Sequence, residues 1–311
     1  MLLTHGASSA ALPPVAVTIG NFDGVHLGHQ AMLERVTAEA ARRRLASCVL
    51  TFEPHPREFF SPAGAPTRLS SLREKYELLA ARGISRLHVQ RFSGEFAAVA
   101  PEAFVADFLG RALRARWVLV GEDFRFGAKR AGDAGLLRGL APRHGLEVET
   151  MPTVTRAGQR VSSSAVREAL AAGDLAKAEA LLGRPYSISG RVVHGDKLGR
   201  SLGFATANVQ LRHNRPPLTG IYAVRVHGAG PKPRPGVASL GVRPTVTSSG
   251  RAVLETHLFD FSGDLYGAHL RVEFLHKIRD EEKYPDLATL RSQIARDCDA
   301  ARALLLEGRH V

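Results

Sequence analysis

The densest set of reactive side chains in the chain is Gly20-Asn21-Phe22-Asp23-Gly24-Val25-His26-Leu27-Gly28-His29. It follows an apolar run, Val15 to Ile19, that reads as a buried strand, and precedes a helical pattern from about Gly28 to Arg44. A glycine-rich turn lets a backbone come close to a ligand. The helix start beyond it offers free N–H groups and a positive dipole end to an anion. His26 and His29 are three apart, so on a helix they share a face. Two imidazoles beside such a seat suit charge stabilisation on a transferring phosphate. The plainer reading is a polar surface turn. It is not a Walker A loop, because no Gly-Lys-Ser/Thr ending occurs in the chain.

Three further stretches carry chemistry of the same kind. Arg160-Val161-Ser162-Ser163-Ser164-Ala165-Val166-Arg167 places hydroxyls between two arginines. It reads as a phosphate site or as a capped helix start, and spacing alone favours the cap. Gly195-Asp196-Lys197-Leu198-Gly199-Arg200-Ser201-Leu202-Gly203 is a glycine-rich loop with two cations, suited to cradling phosphate. Thr206 and Asn208 follow, two apart, and on an extended segment would face one side. Their hydroxyl and amide oxygens are hard ligands of the kind Mg²⁺ takes, while an ordinary hairpin loop is the simpler alternative. Glu255 interrupts the apolar strand pattern Val253 to Phe259. It is either a solvent-facing strand residue or a carboxylate placed as a general base.

The elements that must position these groups form two patterns. Residues 15–150 alternate apolar runs with helical stretches: strands at Ser47–Phe52, Arg86–Phe92, Trp117–Val120 and Glu147–Met151, and helices near Ser71 to Gly83, Pro101 to Leu113 and Ala134 to His144. Ser71 and Glu74 fit a capping box. Such alternation predicts an α/β fold with a parallel sheet that binds ligands at its carboxyl edge. Three unusual turns fall at that edge: Gly20 to His29, the rigid Glu53-Pro54-His55-Pro56, and Gly121-Glu122-Asp123 to Gly127. Two alanine-rich helices end at Gly183, and Arg184-Pro185 reads as a boundary. Beyond it, short β-branched runs between Gly and Pro turns predict a small antiparallel sheet or barrel, closed by one amphipathic helix from about Leu287 to Leu306.

Composition limits the alternatives. The 311 residues, 44% of them hydrophobic, suffice for two domains. No apolar run approaches a bilayer span, and Met1 to Pro14 lacks the basic start of a signal peptide. Cys48 and Cys298 are isolated, which fits a reducing, cytoplasmic compartment. The net charge of +12 suggests an anionic partner. The cations are scattered rather than interleaved with aromatics, so nucleotides are expected rather than nucleic acid, and no membrane.

These ordered motifs together resemble the prokaryotic bifunctional riboflavin kinase/FAD synthetase family, over about residues 14–307. The resemblance implies a Rossmann-like nucleotidyltransferase domain at 14–184 and a six-stranded β-barrel riboflavin kinase domain at 185–311 with a C-terminal helix. In the first, Gly20, Asn21, Phe22 and Asp23 would lie at the nucleotide and flavin site, with His26 and His29 stabilising the triphosphate. His55, Pro56, Glu122 and Asp123 would also contact nucleotide or flavin. Arg160, Ser163, Ser164 and Arg167 would bind ATP phosphates, against the helix-cap preference. In the second, Gly195, Lys197, Gly199, Arg200 and Gly203 fall on the kinase signature, Thr206 and Asn208 on its Mg²⁺ and ATP positions, and Glu255 on its base. Ala205 stands where the family normally has proline, which would stiffen the segment presenting Thr206 and Asn208. The implied partners are riboflavin, FMN, FAD and ATP, with Mg²⁺; oligomeric state is left open. A nucleotidyltransferase with another acceptor, and a basic nucleic-acid-binding protein, are the competing readings.

Overall fold

In the computed structural model, described for residues 1–6, 12–195, 202–211, 215–243 and 251–307, the chain forms two compact units. One comprises Met1–Pro66 and Lys75–Ser162, the other Thr67–Glu74 and Ser163–Val311.

The first unit is built on β1 (Leu2–His5), β2 (Val15–Ile19), α1 (Leu27–Arg43), β3 (Ala46–Glu53), α2 (Pro56–Phe60), α3 (Leu72–Ala80, of which Leu72–Glu74 is counted with the second unit), β4 (Arg86–Arg91), β5 (Ala115–Gly121), α4 (Ala134–Leu140) and β6 (Glu147–Met151). The strands form one sheet in the order β1-β4-β3-β2-β5-β6, every pair parallel. β2 is buried along its whole length, as a central parallel strand covered on both faces must be. Its Val15, Val17 and Ile19 pack with Val118, Val120, Leu109 and Leu137 in one core. The predicted capping box is present: the Glu74 carboxylate accepts the Ser71 N–H at 2.7 Å and the Ser71 hydroxyl accepts the Glu74 N–H at 3.3 Å.

One expectation is corrected here. The helix predicted from Pro101 is α-helical only to Ala103, and Phe104–Ala112 winds as a π-helix. That wider turn accompanies a stack of Phe104 on Phe108, ring centroids 5.5 Å apart. Pro56, in the rigid turn, is the first residue of α2, where its missing N–H costs nothing.

The second unit contains α5 (Ser163–Ala171), α6 (Leu175–Leu182), β7 (Ser187–Val193), β8 (Ala207–Val209), β9 (Gly220–His227), β10 (Arg234–Arg243), β11 (Arg251–Leu258), β12 (His269–Arg279) and α7 (Leu287–Glu307). The six strands close a barrel in the order β7-β8-β11-β10-β9-β12, with every pair antiparallel. Closure removes the edges that an open sheet would expose. α7 lays Cys298 and Ala301 on Ile221, Ala223, Val237 and Phe259 of the barrel.

Candidate active sites

At the carboxyl end of β2 the backbone turns through left-handed conformations at Phe22 (φ 48°), Gly24 (φ 80°) and Val25 (φ 43°). Such φ values are uncommon for any side chain and a genuine outlier for a β-branched one. Strain of this kind persists only where its surroundings enforce it, and it clusters at ligand sites. Phe22 and Val25 are buried. The Gln30 amide donates to the Val25 carbonyl at 2.9 Å. Lys75 Nζ donates to the Thr51 hydroxyl, which donates to the Asn21 carbonyl, each at 3.2 Å.

His26 is the N-cap of α1, not part of it, and its Nδ1 accepts the His29 N–H at 3.3 Å. Its ring stacks on that of His29 with centroids 3.7 Å apart, and Phe22 lies against the His29 ring at 4.8 Å. The two imidazoles therefore do share a face. Gly28 permits this, since a Cβ there would come within 3.2 Å of the His26 ring. Burial, then the neighbouring His26 and Lys75 charges, hold the His29 pKa well below its ordinary value, so the ring is neutral at pH 7. Among the described residues, the buried His29 Nδ1 and Asn21 Oδ1 have no hydrogen-bond partner. Buried polar atoms in native folds are nearly always paired. Asn21 lies in the strained turn and His29 in the first turn of the helix that follows it.

The other residues of the parallel-sheet rim follow. His55 caps α2, accepting the Arg57 N–H on its Nδ1 at 3.1 Å, while Glu58 accepts the His55 N–H at 3.1 Å. Asp123 lies just beyond β5 and pairs with Arg160 at 2.5 Å; both are exposed, as is Glu122. Ser163 and Ser164 open α5, as a helix start requires, and Arg167 on the same helix donates to the Thr67 carbonyl at 2.5 Å. These three belong to the second compact unit.

The barrel holds the second site. Asn208 on β8 lies opposite Glu255 on β11, and Ser239 on β10 lies opposite the same Glu255. Thr206, Asn208, Ser239 and Glu255 line one open cavity. Ala207 and Val209 alternate with them and are buried, so the period of two predicted for this segment holds. Gly195 is required beside it: a Cβ there would sit 2.3–2.6 Å from the Asn208 amide atoms. The hydroxyl and amide oxygen of Thr206 and Asn208 are the donors here that could hold a hard cation. Glu255 is half-buried and lines the same cavity. Gly203 takes φ 90° at the start of this segment. Lys197, Gly199 and Arg200 lie outside the described residues.

Sequence reasoning passed over several cavity residues. His257 is two residues from Glu255 and reaches the same cavity, a position that strand alternation could have flagged. Arg279 and Tyr284 also line it, with Arg279 held by Asp297 through two bonds of 2.9 and 2.7 Å. In the first unit, Lys75 is a buried cation on α3, for which the sequence carries no local signal.

Comparison with known proteins adds to this geometry. Residues 8–165 match the FAD synthetase family model and residues 182–305 match the riboflavin kinase model. The chain is 48% identical over 298 residues to the bifunctional riboflavin kinase/FMN adenylyltransferase of Escherichia coli (strain K12), covering 96% of this chain and 95% of that one. It is 47% identical over 293 residues to the protein of the same description from Pseudomonas fluorescens, covering 94% of each. A crystal structure described as a macrolide-efflux protein from Streptococcus pneumoniae superposes with a TM-score of 0.81 at 28% identity, covering 97% of this chain and 99% of that one. Among the described residues, no helix is long and apolar enough to cross a membrane.

Proposed function

The chain belongs to the bifunctional riboflavin kinase/FMN adenylyltransferase family, and from that premise we propose how its two sites divide the work. The enzyme phosphorylates riboflavin to FMN and adenylylates FMN to FAD, with ATP as substrate of both reactions. Residues 185–311 carry the first reaction and residues 14–184 the second, in the cytoplasm.

In the kinase site, Glu255 accepts the proton of the terminal ribityl hydroxyl as that oxygen attacks the γ-phosphorus of ATP. The bond to the β-phosphate oxygen breaks and ADP leaves. A positioned base contributes roughly 10²–10⁴-fold, so alignment and charge neutralisation carry the rest. Gly195, Lys197, Gly199, Arg200 and Gly203 serve to bind the phosphates. The donor set of Thr206 and Asn208 fits Mg²⁺, and a bound Mg²⁺ would neutralise charge on the phosphate oxygens. The convergence of Thr206, Asn208 and Glu255 on one cavity carries this assignment.

In the adenylyltransferase site, an FMN phosphate oxygen attacks the α-phosphorus of ATP and pyrophosphate leaves. The nucleophile is already anionic, so no strong base is needed. The site supplies donors and positive charge to the phosphorus instead. His26 and His29 stabilise the triphosphate, and Arg160, Ser163, Ser164 and Arg167 bind its oxygens. Asn21, Asp23, His55-Pro56, Glu122 and Asp123 contact nucleotide or flavin, and Gly20 and Phe22 shape the turn. The unpaired His29 Nδ1 and Asn21 Oδ1 support this placement.

Purified enzyme given riboflavin, ATP and Mg²⁺, with the flavins separated by chromatography, tests both assignments. Glu255→Gln stops FMN formation but still converts added FMN to FAD; His29→Ala makes FMN and stalls there. If both variants stay folded and lose both activities equally, the two-site assignment is wrong.

A further inference from the structure

We propose that His257 is a positioning residue of the kinase site, locking the segment that presents Thr206 and Asn208. The proposal rests on the kinase-site assignment above. Leu202–Thr206 has no regular secondary structure, and the strand it leads into, β8, is only three residues long. β8 itself is paired on both sides, with β7 and β11, whereas Leu202–Thr206 lies outside the ladder, so the orientation of that stretch depends on side-chain contacts. His257 supplies two. Its Nδ1 lies 2.8 Å from the Ala205 carbonyl oxygen. A carbonyl only accepts, so Nδ1 carries a proton and donates it. Its ring also meets Phe204 edge-on, with centroids 5.7 Å apart and planes at 88°. Phe204 in turn packs on the apolar cluster between barrel and α7.

One side chain thus holds both residues that immediately precede Thr206. Ala205 has no ring of its own to restrain φ, so the carbonyl bond supplies restraint that the residue lacks. His257 is itself steadied, its ring lying 5.8 Å from that of Phe259. It stands on the same strand and cavity wall as Glu255, so base and phosphate-binding segment are referenced to one element. Losing the bond leaves the base in place and loosens the groups that meet the nucleotide. The deficit should fall on ATP, not on riboflavin.

The test uses the full chain. In His257→Phe, the KM for ATP in riboflavin phosphorylation rises about three- to tenfold, the span of one net hydrogen bond. The KM for riboflavin and FAD synthesis from added FMN stay at wild-type values. Amide exchange at residues 204–208 of the free protein quickens. His257→Asn, whose amide N–H can replace Nδ1–H, restores the ATP KM and the slow exchange. An unchanged ATP KM in His257→Phe, an equal loss toward both substrates, or no recovery in His257→Asn would overturn the proposal. Glu255→Gln assayed alongside separates the two levels. Full kinase activity in that variant sinks the site assignment and this inference with it. An inactive Glu255→Gln beside a normal His257→Phe sinks this inference alone.

Discussion

His29 is neutral before ATP arrives, because burial and its cationic neighbours disfavour a second proton. On the assignment proposed above, a triphosphate would bring opposite charge against the ring and favour that proton. ATP binding to the adenylyltransferase site should therefore take up protons near pH 7. Calorimetry in buffers of different ionisation enthalpy would read the uptake, and His29→Ala should abolish it. His88, buried on β4, reports on stability instead. Burial, then Arg86, lower its pKa to about 4. Between pH 6.5 and about 4 the unfolded chain binds a proton that the native chain refuses. Stability falls with pH through that window, by on the order of 3 kcal/mol in all, and is flat above it. Urea midpoints of the first unit measured from pH 7 to 4 should show this slope, and His88→Gln should flatten it. At this scale the sequence was readable where chemistry is local. His26 and His29 announce themselves by type and spacing, and Glu255 by its place in an apolar strand. Lys75, Arg86 and His88 do not, because their burial is decided by distant elements packing over them.

Among the elements, strands and caps were the most legible. β2 is bounded as its apolar run suggested, and the Ser71–Glu74 capping box is made by both of its bonds. Apolar spacing cannot distinguish a π turn from an α turn, so Phe104–Ala112 was read as an ordinary helix. β1 was missed because its four residues are mostly exposed and show no alternation. The meeting of β7 and β8 near Asn208 yields a sharp prediction. Gly195→Ala places a methyl group on the Asn208 amide, so that side chain must leave its position in the cavity. Kinase kcat/KM for ATP should fall at least tenfold, while added FMN is still converted to FAD at the wild-type rate. Parallel initial-rate assays on the two half-reactions check this.

At the scale of the molecule, sequence order and spatial grouping diverge. Two blocks with different patterning were legible, an α/β block and then a barrel. That Thr67–Glu74 joins the barrel unit was not, since nothing in eight residues declares which core they serve. Their contacts are specific. The Tyr186 hydroxyl donates to the Leu69 carbonyl at 3.2 Å, and the Ser189 N–H donates to the buried Glu74 carboxylate at 2.5 Å. Glu74→Ala strands two buried N–H donors, those of Ser71 and Ser189, at a cost of about 2–4 kcal/mol. Faster amide exchange at Ser189, with the β2 amides unchanged, would verify it. The same segment limits how such enzymes can be recombined. A chimera spliced near Ser163 takes its barrel from one parent and the eight-residue strap on that barrel from the other. The kinase half therefore inherits part of its own scaffold from the opposite side of the splice, and parents that differ between Thr67 and Glu74 will yield hybrids with a mismatched barrel even when both catalytic sets are intact.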